Sequence, residues 1–188
     1  MFRCQATDFL QATEPLGWWD VRSFVHEVTC GNISLWRFIR VMTRLAFDET
    51  GRRLGLSSNM PFKRPGDGAP HPPRSELKPG DLVQIRPKRE IAGTLDEKGK
   101  CRGLWFDREM LPYCGETHTV KRKVERFINE RTGTRIGLES DCYILDGVVC
   151  KGDVSEARWF CPRAIYPWWR EAWLDSDVAR AERKQRRA

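Results

Sequence analysis

Residues 117–128 read Thr117-His118-Thr119-Val120-Lys121-Arg122-Lys123-Val124-Glu125-Arg126-Phe127-Ile128. Val120, Val124 and Ile128 stand at even spacing among charged neighbours, which is the pattern of a long strand with one apolar face. Directly upstream, Pro112-Tyr113-Cys114-Gly115 makes a corner, and Thr132-Gly133 downstream makes a hairpin-type turn. The return strands are expected over Arg135–Leu138 and Cys142–Val149, interrupted by Glu139-Ser140-Asp141 and by Gly147. Before the corner, Gly103–Met110 reads as a short strand or turn. The second half of the chain is therefore organised by strands.

Moving outward, Lys78-Pro79-Gly80-Asp81 is a turn, and Leu82–Arg86 alternates as a strand that Pro87 ends. Lys88–Lys98 has room for one or two helical turns closed by Gly99. At the other end, Lys151-Gly152-Asp153 is a turn. Pro167 opens a short helix over Pro167–Leu174, whose Trp168, Trp169 and Trp173 are expected to seal the domain or to dock the N-terminal helices. Short strands at close spacing with glycine turns predict a small barrel. The N-terminal part reads differently. Asp20 caps a short helix over Val21–Val28, Gly31-Asn32 breaks it, and Ser34 caps a second helix. In that helix Leu35, Phe38, Ile39, Met42, Leu45 and Ala46 recur at helical spacing. The expected organisation is α+β: a helical hairpin over 1–50, a Pro/Gly-rich linker over 51–77, a cysteine-rich barrel over 78–175 and a basic tail over 176–188.

Bulk composition bounds the chemistry. The 188 residues carry a formal net charge of +7, and Arg180–Ala188 alone supplies five basic residues against Glu182. A tail of this kind suits nucleic acid, an acidic partner or an anionic membrane, or is only a solvated end. The start, Met1-Phe2-Arg3-Cys4-Gln5, lacks the pattern of a secretory leader, and no apolar run reaches the ~20 residues needed to span a bilayer. A reducing cytoplasmic setting is expected, in which seven cysteines argue for metal or thiol chemistry rather than disulfides.

Four phrases carry a resemblance. They are Arg102-Gly103-Leu104-Trp105-Phe106-Asp107; Glu109-Met110-Leu111-Pro112-Tyr113-Cys114-Gly115; Ile144-Leu145-Asp146-Gly147-Val148-Val149-Cys150; and Phe160-Cys161-Pro162-Arg163-Ala164-Ile165-Tyr166-Pro167. Together they resemble a bacterial protein family without an assigned activity, over roughly residues 77–174. Gly31-Asn32-Ile33-Ser34-Leu35 is similar to that family as well. The resemblance implies a setting among polysaccharide or natural-product gene clusters, where an accessory role is expected. The Lys78-Pro79-Gly80-Asp81 turn with its strand, and Leu111-Pro112-Tyr113 with Gly115 and Val120, are also similar to SH3-like barrels of the nitrile hydratase β-subunit type. That similarity implies an SH3-like barrel.

Three functional readings follow. In the first, Cys114, Cys142, Cys150 and Cys161 form a closed Cys4 zinc site, four thiolates being the donor set of structural zinc. Their corner and turn settings suit ligands, and His118 takes the fourth place if Cys142 belongs to the core. The alternative for the same four is buried free thiols acting as small hydrophobes. The protein is then a non-catalytic binding or accessory module for a protein partner, with Trp105, Phe106, Tyr113 and Trp159 lining its groove unless they are core. In the second reading, Lys121 and Lys123 share one strand face and, with the tail, contact nucleic acid among interleaved aromatics. In the third, Cys114 is a nucleophile with His118 and Glu116 as base and orienting acid.

Overall fold

The computed structural model describes residues 20–55, 77–129, 132–154, 159–161 and 163–176. Residues 56–76 of the expected linker (51–77) and residues 177–188 of the expected tail (176–188) lie outside them. Two helices open the described chain, α1 (Arg22–Thr29) and α2 (Leu35–Arg53). Their starts follow the sequence: Asp20 Oδ1 accepts the Arg22 N–H at 3.0 Å and Ser34 Oγ accepts the Arg37 N–H at 3.3 Å, which satisfies donors that a helix start leaves free. Gly31, at φ +77°, reverses the chain between them in a conformation that costs glycine little. Helix α2 runs through Gly51, past the boundary expected at residue 50.

The sheet contains β1 (Leu82–Ile85), β4 (Thr117–Ile128), β5 (Arg135–Leu145), β6 (Trp169–Arg170) and β7 (Leu174–Asp175), in the order β6-β5-β4-β1-β7. Every pairing is antiparallel. A two-stranded ribbon, β2 (Lys100–Cys101) with β3 (Leu104–Trp105), stands apart. Helix α3 (Lys88–Gly93) and two 3-10 helices, Arg108–Tyr113 and Glu171–Trp173, complete the set. The α+β class and the organising strand are as expected. The two return strands are one, β5, which spans Glu139-Ser140-Asp141. Register irregularities between Val120 and Arg122 and between Val124 and Arg126 re-aim β4, so Ile128 leaves the core register and is exposed.

The expected helix over Pro167–Leu174 does not form. Trp169 pairs with Tyr143 and Arg170 with Cys142 on one side, while Leu174 pairs with Ile85 and Asp175 with Gln84 on the other. Two strands competing for the same eight residues outweigh a proline start signal, and a three-residue 3-10 turn joins them. These strands are the two ends of the sheet order. A flat five-stranded sheet would hold its ends ~19 Å apart at ~4.8 Å per strand, whereas the four steps from Arg170 to Leu174 reach at most ~14 Å. The sheet is therefore strongly curled. It stays open, with no hydrogen-bonded ladder joining β6 to β7 among the described residues.

Inside the curl lies the main core, including Val83, Ile85, Phe106, Val120, Tyr143, Leu145, Trp169 and Trp173. Phe106 meets Trp169 and Trp173 edge-on at 6.1 and 5.1 Å, the arrangement favoured by ring quadrupoles. The Trp173 indole donates to Thr94 Oγ1 at 2.9 Å, so its burial leaves no orphan donor. A second, smaller core joins the hairpin to the sheet half: Phe24, Val28, Ile33, Phe38, Val41 and Met42 close on Phe160 and Trp159. Phe38 stacks on Phe160 at 5.5 Å. Arg37 reaches Asp153 at 2.9 Å and Arg108 reaches Asp48 at 2.8 Å, which fixes the hairpin at both ends of the contact.

Candidate functional site

A cleft of about 870 Å³ opens between the 104–110 segment and the 159–168 segment, floored in part by Cys150 and Val154. Asp107 positions one wall: its carboxylate accepts the Glu109 N–H at 3.0 Å and caps the first 3-10 helix. Glu109 turns inward and accepts the Val154 N–H, which ties the wall to the floor. The other wall is held by the Cys150 N–H donating to the Ile165 carbonyl at 2.8 Å. Two of its residues, Phe160 at φ +63° and Ala164 at φ +44°, adopt a left-handed backbone that costs non-glycine residues on the order of 1–3 kcal/mol. Packing against the hairpin holds Phe160 there. Trp168 lies edge-on to Phe127 at 4.9 Å, and Lys121 Nζ donates to the Tyr166 hydroxyl at 2.8 Å. Ring faces and edges from Trp105, Trp159, Tyr166 and Trp168 thus meet carboxylates and guanidinium groups from Asp107, Glu109, Arg108 and Arg163 around one opening.

The four cysteines of the expected zinc site do not converge. Cys150 and Cys161 both line the cleft. Cys142 is fully buried elsewhere, with its sulfur 3.2 Å from Arg170 Nη1. Arg170 also donates to the carbonyls of Cys101, Ser140 and Arg102 at 3.2, 2.8 and 2.6 Å. A guanidinium against Cys142 is a poor neighbour for a dication. Cys114 stands apart, its thiol 3.8 Å from the Met110 carbonyl. Among the described residues no group of three or more His, Cys, Asp or Glu is disposed to hold a metal ion. Arg170 of the edge strand β6 covers Cys142, so the alternation that buries Tyr143 and Leu145 is broken there.

Burial pushes the Cys114 thiol up to about 11 and raises those of Cys101, Cys142 and Cys150 above the ordinary thiol value. Glu109, Asp107 and Cys161 add to the effect at Cys150 by disfavouring a negative sulfur. The expected nucleophile–base pair is not assembled either. His118 Nδ1 lies 3.1 Å from the Asp146 carbonyl and Nε2 lies 3.0 Å from Glu116 Oε2, so neither ring nitrogen is directed at Cys114.

Of the expected binding surface, Trp105 and Trp159 line the cleft. Phe106 and Tyr113 do not; both are core. Phe106 is the inward neighbour of the outward Trp105, and Tyr113 spends its hydroxyl on the Val149 carbonyl at 2.8 Å. Lys121 and Lys123 pair with Asp146 at 3.0 Å and Asp141 at 3.1 Å. Both lysines thus face an acidic residue of, or just beyond, β5, which weakens that face as a phosphate-binding stripe. Met110, Arg163, Tyr166 and Trp168 were not expected at the site, although three of them lie inside the quoted phrases. All four phrases contribute residues to this one cleft. Among the described residues no helix is long and apolar enough to cross a membrane. No protein-family model and no curated protein gives a match to this chain.

Proposed function

We propose that the protein is a non-catalytic binding module that holds a short segment of a partner protein in the cleft between residues 104–110 and 159–168. One observation carries this reading: four phrases separated by as much as sixty residues meet at a single opening, three of them with aromatic or charged side chains and the remaining one with Cys150. An aromatic-lined groove with a few fixed polar groups suits an extended peptide with apolar anchors, and its volume lies within the ~300–1,000 Å³ range of specific pockets. The raised thiols, and a His118 engaged away from Cys114, weigh against the thiolate-enzyme reading. The ion-paired lysines weigh against the nucleic-acid reading of β4.

Selection of a displayed random-peptide library on the full chain tests the proposal. Enriched peptides are expected to share aromatic or aliphatic anchors. Their Kd should rise about tenfold or more on Trp105→Ala, as for an aromatic hot spot, with the thermal midpoint unchanged. Lys123→Ala should leave the Kd as it is. Peptides that bind Trp105→Ala equally well, or no enrichment at all, would count against the cleft as a peptide site.

A further inference from the structure

Six cysteines lie among the described residues, and four of them have a place away from the cleft. Cys30 is exposed at the end of α1. The Cys114 thiol lies 3.8 Å from the Met110 carbonyl, and Cys142 lies 3.2 Å from Arg170. Cys101 is buried beside the same arginine, which donates to its carbonyl at 3.2 Å. Cys150 and Cys161 remain. Both are half-buried, and both line the cleft.

Two backbone hydrogen bonds hold the segments that carry them side by side. The Cys150 N–H donates to the Ile165 carbonyl at 2.8 Å, and the Phe160 N–H donates to the Gly152 carbonyl at 2.8 Å. Residues 150–152 are thus tied to the cleft wall at both ends, and Cys161 follows directly on one of the ties. Backbone segments bonded in this way stand roughly 5 Å apart, within the roughly 4.4–6.8 Å of Cα separation that a disulfide spans. The two thiols also feel each other. Burial raises Cys150 above the ordinary thiol value, and Glu109, Asp107 and a charge on Cys161 raise it further. Cys101 acts on Cys142 in the same manner, but both of those are buried, out of reach of a dissolved oxidant.

We propose that Cys150 and Cys161 form a reversible oxidation site, a dithiol that an oxidant of the peroxide class converts to a disulfide joining the floor of the cleft to its wall. One thiolate attacks the O–O bond, becomes a sulfenic acid and releases hydroxide. The second thiolate attacks that sulfur and displaces the other hydroxide. The two sulfurs give up two electrons to the peroxide, and the two thiol protons leave in two molecules of water. The link draws the wall onto the floor and narrows the opening. On the reading of the cleft as a peptide site, the oxidised chain therefore holds its peptide more weakly.

Hydrogen peroxide treatment of the reduced full chain, followed by alkylation and mass spectrometry, tests the proposal. The oxidised chain is expected to lose two hydrogens and two alkylatable thiols. Cleavage before Asp146 and Asp153 puts Cys142, Cys150 and Cys161 on separate fragments, and the Cys150 and Cys161 fragments should be found joined. Dithiothreitol should release them. Cys161→Ser should abolish the link and leave Cys150 trapped as a sulfenic acid. A link through any other pair, Cys101–Cys142 included, or oxygen addition to the natural chain with no link, would overturn the proposal. The Kd of a cleft peptide is expected to rise about tenfold on oxidation and to return on reduction. A disulfide that forms with the Kd unchanged would overturn the narrowing of the cleft. Where no peptide binds even the reduced chain, the peptide reading fails on its own, and the fragment masses still decide the oxidation site.

Discussion

At the residue scale the informative groups are the thiols. Cysteine types in loop-like settings predicted a shared metal, yet side-chain direction, which sequence alone does not carry, sends Cys142 to Arg170 and Cys114 to the Met110 carbonyl. Burial holds Cys114 protonated, its value rising from the ordinary 9.0 to about 11. In the unfolded chain the same thiol ionises near 9. Between these values the folded state keeps a proton that the unfolded state has lost. Stability contributed by the neutral thiol is therefore present below about pH 9 and declines as pH rises towards about 11, as proton linkage requires. Urea denaturation at stepped alkaline pH is expected to show this decline, and Cys114→Ala should make it shallower. An identical slope in the variant would mean that the Cys114 thiol titrates alike in both states. Lys121, raised by the Tyr166 hydroxyl and Asp146, loses its proton in the same direction at high pH, so the comparison with the variant isolates the thiol.

At the element scale, what was legible depended on whether a signal was local. The starts of α1 and α2, the turn before β1 and the long strand β4 were all readable, because polar start residues, turn residues and alternation act within a few positions, although the N-cap of α1 is Val21 and not Asp20. The segment Trp168–Leu174 was not. Its proline and its spacing of Trp169 to Trp173 match a helix start and one helical turn. The deciding interactions lie some 30 and 90 residues away, in β5 and β1. The cleft was half legible for the same reason: its phrases stood out, but Phe106 and Tyr113 were assigned to it when both pack into the core. Trp173 is the keystone of the corner, fully buried, edge-on to Phe106 and bonded to Thr94. Trp173→Ala is expected to destabilise the protein by about 3–5 kcal/mol, measured by the urea midpoint at constant slope. A loss below about 1 kcal/mol would mean that the corner collapses around the gap or that the indole is not enclosed.

At the scale of the whole molecule, Trp159 and Phe160 connect the two halves. Trp159 faces the cleft, while Phe160 receives α1 and α2, stacked by Phe38 and edge-on to Phe24 at 6.1 Å. The hairpin is too short to be stable by propensity alone, so its order rests on this contact and on the Arg37–Asp153 and Arg108–Asp48 pairs. Those exposed or half-exposed pairs are each worth at most about 1 kcal/mol, whereas the aromatic contact is worth several, so Phe160 decides the docking. Phe160→Ala is expected to release the hairpin while the sheet stays folded. In hydrogen exchange, amides of residues 35–53 should lose protection, while those of β4 and β5 near Val120 and Leu145 keep theirs. Release would also free the left-handed backbone at Phe160, and the cleft wall with it. The variant is therefore expected to weaken peptide capture in the cleft about as much as Trp105→Ala does, although it touches no ligand. Uniform loss of protection across both halves would show instead that the two cores unfold as one unit, and the hairpin would then be part of the sheet domain rather than a body docked on it.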